Sequence, residues 1–271
     1  MKYFLEYNRK KYSNFDLIEA FEKLGIKKDD ILCVHTELIR YGLPLLPKNE
    51  FLQTLLDCFF EVIGKEGTLI MPTFTYSFCK NEVYDKLNSS TKMGALNEYF
   101  RKQSEVKRTN DPIFSFAIKG AKEDLFLKDT TSCFGENCVY DILIKENGKL
   151  IFFSPNEGHA LVHYAEEKIK ISFRYFKNFK GILIDENGKK YNKNINYYVR
   201  NIDQINGCDI NKINTIVNKT EQYKKIKFAG DFVEIYNSKE YVDAICYNLS
   251  MDKLSIYKQK VNPCNNNFMK F

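Results

Sequence analysis

Alternation between two hydrophobic periods over the first 170 residues is the strongest constraint on how this chain can fold. Short apolar runs of strand length, Ile31–Val34, Thr68–Met71, Ile113–Ile118 and Leu150–Phe153, are separated by segments whose apolar residues recur at helical spacing. Ser13 and Asp16 make a capping-box pattern at the start of the stripe Phe15, Ile18, Phe21 and Leu24, which ends at Gly25. A second stripe, Leu52, Leu55, Leu56, Phe59 and Ile63, begins near Asn49 and stops at Gly64, and Gly94–Arg101 reads as a further helix. This pattern predicts an α/β fold with a mixed central sheet flanked by helices. In such folds ligands gather at the strand ends.

After about Ile169 the character changes. Gly181–Ile184 and Lys190–Val199 flank Glu186-Asn187-Gly188-Lys189, whose Asn-Gly is a hairpin signal. Beyond about residue 200, Asn, Lys, Ile and Tyr dominate and periodicity is poor. With no linker in sight, we expect one domain over 1–271. Residues 1–170 would be its core α/β part, and 171–271 an additional β-rich layer with a C-terminal part.

Composition excludes several classes. No apolar run is long enough to span a bilayer, and Met1–Ser13 lacks the apolar stretch of a signal peptide, so a cytoplasmic protein without a membrane partner is expected. Eight Cys with no C-x-x-C pair fit a reducing compartment and read mostly as small buried hydrophobes. A net charge of +6 favours anionic small molecules but is too small to indicate nucleic acid. Lys168–Arg200 holds nine basic and two acidic residues interleaved with Phe173, Tyr175, Phe176 and Phe179. With no nucleic-acid motif beside it, a solvated amphipathic face or a phosphate-bearing ligand is the expected use.

Candidate chemistry starts from scarcity: the chain has only His35, His159 and His163. Gly158–Lys168 reads as helical, which puts His163 and Glu166 at i and i+3 on one face. A carboxylate beside an imidazole fixes its tautomer and stabilises the imidazolium formed on taking a proton. That suits a general base acting on an ammonium, although a plain helix pair satisfies the same spacing. His159, His163 and His35 could instead hold a metal in a hydrolase, but H-E-x-x-H is absent and no metal is expected. His35 and Thr36 close one strand, and Thr73 and Thr75 follow another in Met71-Pro72-Thr73-Phe74-Thr75. Neither is a phosphate-binding glycine loop. Cys79 has no neighbour that would activate a thiol.

In order, these pieces resemble the aminoglycoside 3-N-acetyltransferase family. Val34-His35-Thr36-Glu37 with Gly42 is similar to the family's V-H-S-S segment, and Glu66–Thr75 reproduces its E-G-T-L-[VI]-M-P-T-F-T block. Met93–Arg101 matches M-G-x-L-x-E-x-[FL]-R, Arg108–Ser115 corresponds to R-S-x-H-P-x-x-S, and His163-Tyr164-Ala165-Glu166 matches H-x-A-E. The resemblance covers about residues 15–170. It implies an α/β fold of the family's own kind and an N-acyltransferase using acetyl-CoA or another acyl-CoA. His163 and Glu166 would be catalytic; His35, Thr36, Thr73, Thr75, Arg108 and Ser115 would line the acyl-CoA site; Tyr76, Asp111 and His159 would face the acceptor.

Two positions depart from the family pattern: Asp111 replaces a His, and His159-Ala160 stand where Asn-Thr is usual. Enzymes that bind polycationic aminoglycosides tend to be acidic, and this chain is basic. The expected acceptor is therefore a small-molecule amino sugar linked to a nucleotide. The alternative is an aminoglycoside 3-N-acetyltransferase conferring antibiotic resistance.

Overall fold

The computed structural model of the chain describes residues 1–154, 159–203 and 207–258. Its central sheet has seven strands in the order Lys224–Phe228, Asp231–Asn237, Lys149–Phe153, Ile31–Thr36, Thr68–Pro72, Phe116–Gly120 and Lys107–Arg108. Ile31–Thr36 runs parallel to both of its neighbours, and the strands outside this parallel trio pair antiparallel.

The parallel strands read as unbroken apolar runs because both faces are covered. Successive side chains enter opposite cores. Ile31, Cys33, Ile70, Leu150 and Phe152 point into one, with the helices Val139–Lys145, Val162–Lys168, Ile210–Val217 and Ser238–Met251. Leu32, Val34, Leu69, Met71, Ile151 and Phe153 point into the other, with Asn14–Leu24 and Lys48–Ile63.

Most early elements fall where the spacing puts them. Ser13 caps its helix with the reciprocal Asp16 bond, Gly25 closes it in the left-handed conformation, and Leu52, Leu55, Leu56, Phe59 and Ile63 are all buried. The first stripe is misjudged at one position. Phe15 is 55% exposed, and Leu17 and Ala20 join Phe21 and Leu24 inside. The strand expected at Ile113–Ile118 begins only at Phe116. Asp111 Oδ1 accepts the N–H groups of Ile113 and Phe114, each at 2.8 Å, and so holds those residues in a turn.

The hairpin is longer than its signal, Arg174–Ile184 against Lys190–Arg200, and with Tyr84–Asp85 it forms a separate three-stranded layer. The chain beyond residue 200 does more than add to that layer, because Lys224–Phe228 and Asp231–Asn237 extend the central sheet. Their charges hid this. Glu234 is 1% exposed inside that sheet, where Lys225 pairs with it at 2.8 Å and the hydroxyls of Tyr223 and Tyr236 donate to it. Of the cysteines, Cys33, Cys58, Cys133 and Cys138 are buried and Cys79 is exposed; Cys264 lies outside the described residues.

Candidate active site

The helix Val162–Lys168 begins three residues after His159, so His159 and His163 do not share a helical face. Gly158, where the helix was expected to start, lies outside the described residues. His163 and Glu166 do meet: His163 Nδ1 lies 2.6 Å from Glu166 Oε2. Burial pushes the Glu166 carboxyl up, but the neighbouring His163, Arg174 and Tyr257 outweigh it and hold it below the usual range. The ionised carboxylate can only accept, so Nδ1 carries the hydrogen of this bond and Nε2 is the ring nitrogen left for other partners. The ring is 24% exposed and edges against Phe134 and Tyr197, with centroids 5.4 and 6.4 Å away. Glu166 is fully buried.

The second oxygen of Glu166 is also engaged. Arg174 Nη2 lies 2.9 Å from Oε1, the Tyr257 hydroxyl donates to the same oxygen, and Cys208 Sγ is 3.9 Å away. None of these three was singled out in the sequence: Cys208 and Tyr257 come from distant segments, and Arg174, eight residues on, lies beyond the helix on the next strand. The chemical type of Arg174 was visible in the basic stretch, but nothing local distinguishes it from its solvated neighbours.

His35 and His159 form a different group. Each stacks on Phe152, with centroids 5.1 and 4.8 Å from it, His35 Nε2 is 3.3 Å from the Tyr140 hydroxyl, and His159 Nδ1 is 2.7 Å from the Tyr241 hydroxyl. Burial, with the charge of His159 beside it, pushes the His35 imidazole down to about 3, so it stays neutral. The three-histidine metal centre is therefore not assembled. Among the described residues, the one cluster of possible metal donors is His163, Glu166 and Cys208, and Arg174 already neutralises its carboxylate.

At the carboxyl ends of the parallel strands, His35, Thr36, Glu37, Pro72, Met93, Phe153 and Ser154 enclose a cavity of about 50 Å³. That holds roughly three or four waters, the scale of an acetyl group and far below that of a sugar. Thr36 Oγ1 donates to Asn97 Oδ1 at 2.7 Å, and Asn97 Nδ2 donates to the Pro72 carbonyl at 2.8 Å, which ties two of the strand ends together.

Thr73, Arg108 and Ser115 form a buried hydrogen-bonded knot. Arg108 Nε donates to Thr73 Oγ1 at 3.1 Å and its Nη2 to the Thr73 carbonyl at 2.7 Å, while Ser115 Oγ donates to that carbonyl at 2.7 Å. Thr73 and Ser115 are fully buried, and Arg108 Nη1 also reaches the Ser89 carbonyl at 2.6 Å. Thr75 Oγ1 is occupied by the Pro112 carbonyl at 2.9 Å.

Tyr76 is the accessible member of the acceptor set, 39% exposed, with a left-handed backbone (φ 55°) and its ring 5.3 Å from Phe114. For a residue with a Cβ that conformation is uncommon and is associated with functional sites. Asp111 is buried, and burial raises its carboxyl despite the two N–H bonds.

The chain thus carries a small cavity at its parallel strand ends and, apart from the residues that line it, a carboxylate-backed imidazole of the kind that assists group transfer. The family model for aminoglycoside 3-N-acetyltransferase matches residues 34–249, and the chain belongs to that family. The SPbeta prophage-derived aminoglycoside N(3')-acetyltransferase-like protein YokD of Bacillus subtilis (strain 168) is 25% identical over 178 residues, 56% of this chain. The match spans 64% of that relative's length, somewhat under two thirds.

Solved structures share the fold. AAC-VIa bound to sisomicin has a TM-score of 0.76 at 19% identity, covering 89% of this chain and 98% of that one. AAC-IIIb in a binary complex with CoASH has a TM-score of 0.76 at 18% identity, covering 89% and 97%. The crystal structure of YokD from Bacillus subtilis gives 0.70 at 19%, covering 86% and 92%. Among the described residues, no helix is long and apolar enough to cross a membrane.

Proposed function

We propose that this chain is an acyl-CoA-dependent N-acyltransferase that modifies the amine of an amino sugar, with His163 as general base and Glu166 as its partner. The observation that carries this reading is the 2.6 Å contact between His163 Nδ1 and Glu166, which leaves Nε2 as the free basic nitrogen in a family of N-acetyltransferases. A sugar ammonium has no lone pair. Nε2 takes its proton, the amine attacks the thioester carbonyl carbon, the C–S bond breaks, and the CoA thiolate leaves, taking up the second proton that the nitrogen sheds on becoming an amide. Positioning supplies much of the remaining acceleration. No metal and no covalent enzyme intermediate enter these steps.

The cavity at the strand ends suits the acyl end of the thioester, with neutral His35 and Thr36 in its wall. Thr73, Arg108 and Ser115 support that wall from behind, and Thr75 fixes the loop that presents Tyr76. CoASH in AAC-IIIb agrees with the cosubstrate.

The acceptor we favour is an anionic, nucleotide-linked amino sugar. The chain is net basic. Lys80 Nζ donates to the Thr75 carbonyl at 3.0 Å, which puts one cation next to the exposed Tyr76. Sisomicin in AAC-VIa is the observation on the other side, and favours an aminoglycoside. Incubating the protein and acetyl-CoA with both substrate classes, and following CoA thiol release, tests the choice. Release with the nucleotide-linked sugar is expected; release with aminoglycosides alone overturns the anionic acceptor, and release with neither overturns the enzyme reading.

A further inference from the structure

Glu166 has more partners than a base-orienting carboxylate needs, and they converge from its own helix, the strand that follows and the chain beyond residue 207. His163 takes one oxygen from within the helix. Arg174, at the start of the hairpin, and Tyr257, after the last helix, take the other. Cys208 lies alongside, bridged by its backbone to Tyr257.

Arg174 is 4% exposed in its side chain and also donates to the Tyr198 carbonyl at 3.0 Å, so its guanidinium is held in place. Its Nη2 comes within 3.4 Å of His163 Nδ1. Both nitrogens carry hydrogens when Nδ1 donates to Glu166, so this approach is a like-polarity contact and not a bond.

We propose that Arg174, assisted by Tyr257, is the positioning residue that offsets the charge of Glu166 in advance, and so limits how strongly that carboxylate holds a proton on the His163 ring. This rests on the base role given to His163 above.

The argument is one of charge. A buried imidazole–carboxylate pair alone gains stability when the ring takes a proton, because the pair becomes neutral. With Arg174 present, the trio is already neutral while the ring is neutral, and a proton on the partly exposed ring would add a net positive charge beside the buried guanidinium. The other groups facing the ring do not reverse this sign. Tyr197 and Tyr257 are neutral phenols, each raised by burial. The Cys208 thiol is raised to about 12 by burial and by Glu166, and Phe134 is apolar. Glu167, on the same helix, is raised by burial and turns instead to Ser132 Oγ at 2.9 Å.

Imidazole NMR titration of the full chain tests this without any acceptor, with the His163 signal assigned by its loss in His163→Gln. In Arg174→Gln the pH at which the ring changes protonation should rise by about one unit, the usual effect of a charge at this distance. Arg174→Lys should restore most of the parent value. Tyr257→Phe should give a smaller rise, and covers the case in which Arg174→Gln does not fold. An unmoved or lowered midpoint in whichever of these two variants folds overturns the proposal. The base reading has its own test in turnover of acetyl-CoA by His163→Gln: activity there refutes that reading whatever the titration gives.

Discussion

Replacing His163 by Ala separates chemistry from folding, because the carboxylate behind the ring does not depend on it alone. The substitution deletes one hydrogen bond, the 2.6 Å contact to Glu166. Glu166 keeps Arg174 at 2.9 Å and the Tyr257 hydroxyl, so no bare buried charge is left. A hydrogen bond to a charged group contributes about 1.5–3 kcal/mol. At about 2–4 °C per kcal/mol for a large domain, the melting temperature should fall by roughly 3–12 °C. The base itself contributes far more to rate, about 10²–10⁴-fold, or ~2.7–5.4 kcal/mol of barrier. The assay is CoA thiol release at 25 °C with the acceptor that the parent turns over, alongside a thermal melt and acetyl-CoA titration calorimetry. Lost turnover in a folded protein that still binds acetyl-CoA is the expected result. A kcat within about threefold of the parent refutes the reasoning.

Two further substitutions test the buried polar groups through pH. Asp111→Asn keeps the Oδ1 acceptor that serves both Ile113 and Phe114 and removes the charge. Because burial raises the native carboxyl above its unfolded value, the native state holds the proton more tightly, and stability falls as pH rises through that window. Asp111→Asn should therefore melt higher than the parent at pH 7, with the gain vanishing below about pH 4; a lower melt at pH 7 would mean that the charge itself matters. His35, lowered to about 3 by burial and by His159, has the opposite sign. The unfolded chain takes its proton below about 6.5 and the native one does not, so stability is lost on acidification by up to ~1.4 kcal/mol per pH unit between those values. His35→Gln should flatten the melting-temperature profile from pH 6.5 to 4, and an unchanged slope would show that another group carries the acid sensitivity.

What the sequence made legible follows from what is local. The capping box at Ser13 and Asp16, the helix Lys48–Ile63 and the His163–Glu166 pair each depend on residues within a turn or two of one another, and each is in place. Apolar parallel strands announce themselves because both of their faces are buried. The strands Lys224–Phe228 and Asp231–Asn237 did not, since the lysines of the edge and Glu234 in the sheet blur the apolar period until Lys225, Tyr223 and Tyr236 are seen to satisfy that carboxylate. Thr73, Arg108 and Ser115 were recognisable as a set, yet their mutual bonding belongs to tertiary structure, and only coordinates reveal that their donors are spent on one another. Asp111 stands where the family pattern has His, and here it holds a turn. Tyr257 was invisible because nothing near it in sequence mentions the carboxylate it reaches, and Arg174, eight residues from Glu166, meets it only because the chain turns between helix and strand.

The late arrival of Tyr257 at Glu166 bears on biosynthesis. A ribosome making this chain delivers His163 and its carboxylate more than ninety residues before the phenol that completes their surroundings. Until then the partly made protein exposes an unfinished sheet edge at Lys149–Phe153, where Asp231–Asn237 will later pair. The nascent chain should stay inactive, and prone to mispairing at that edge, until these later segments have been made.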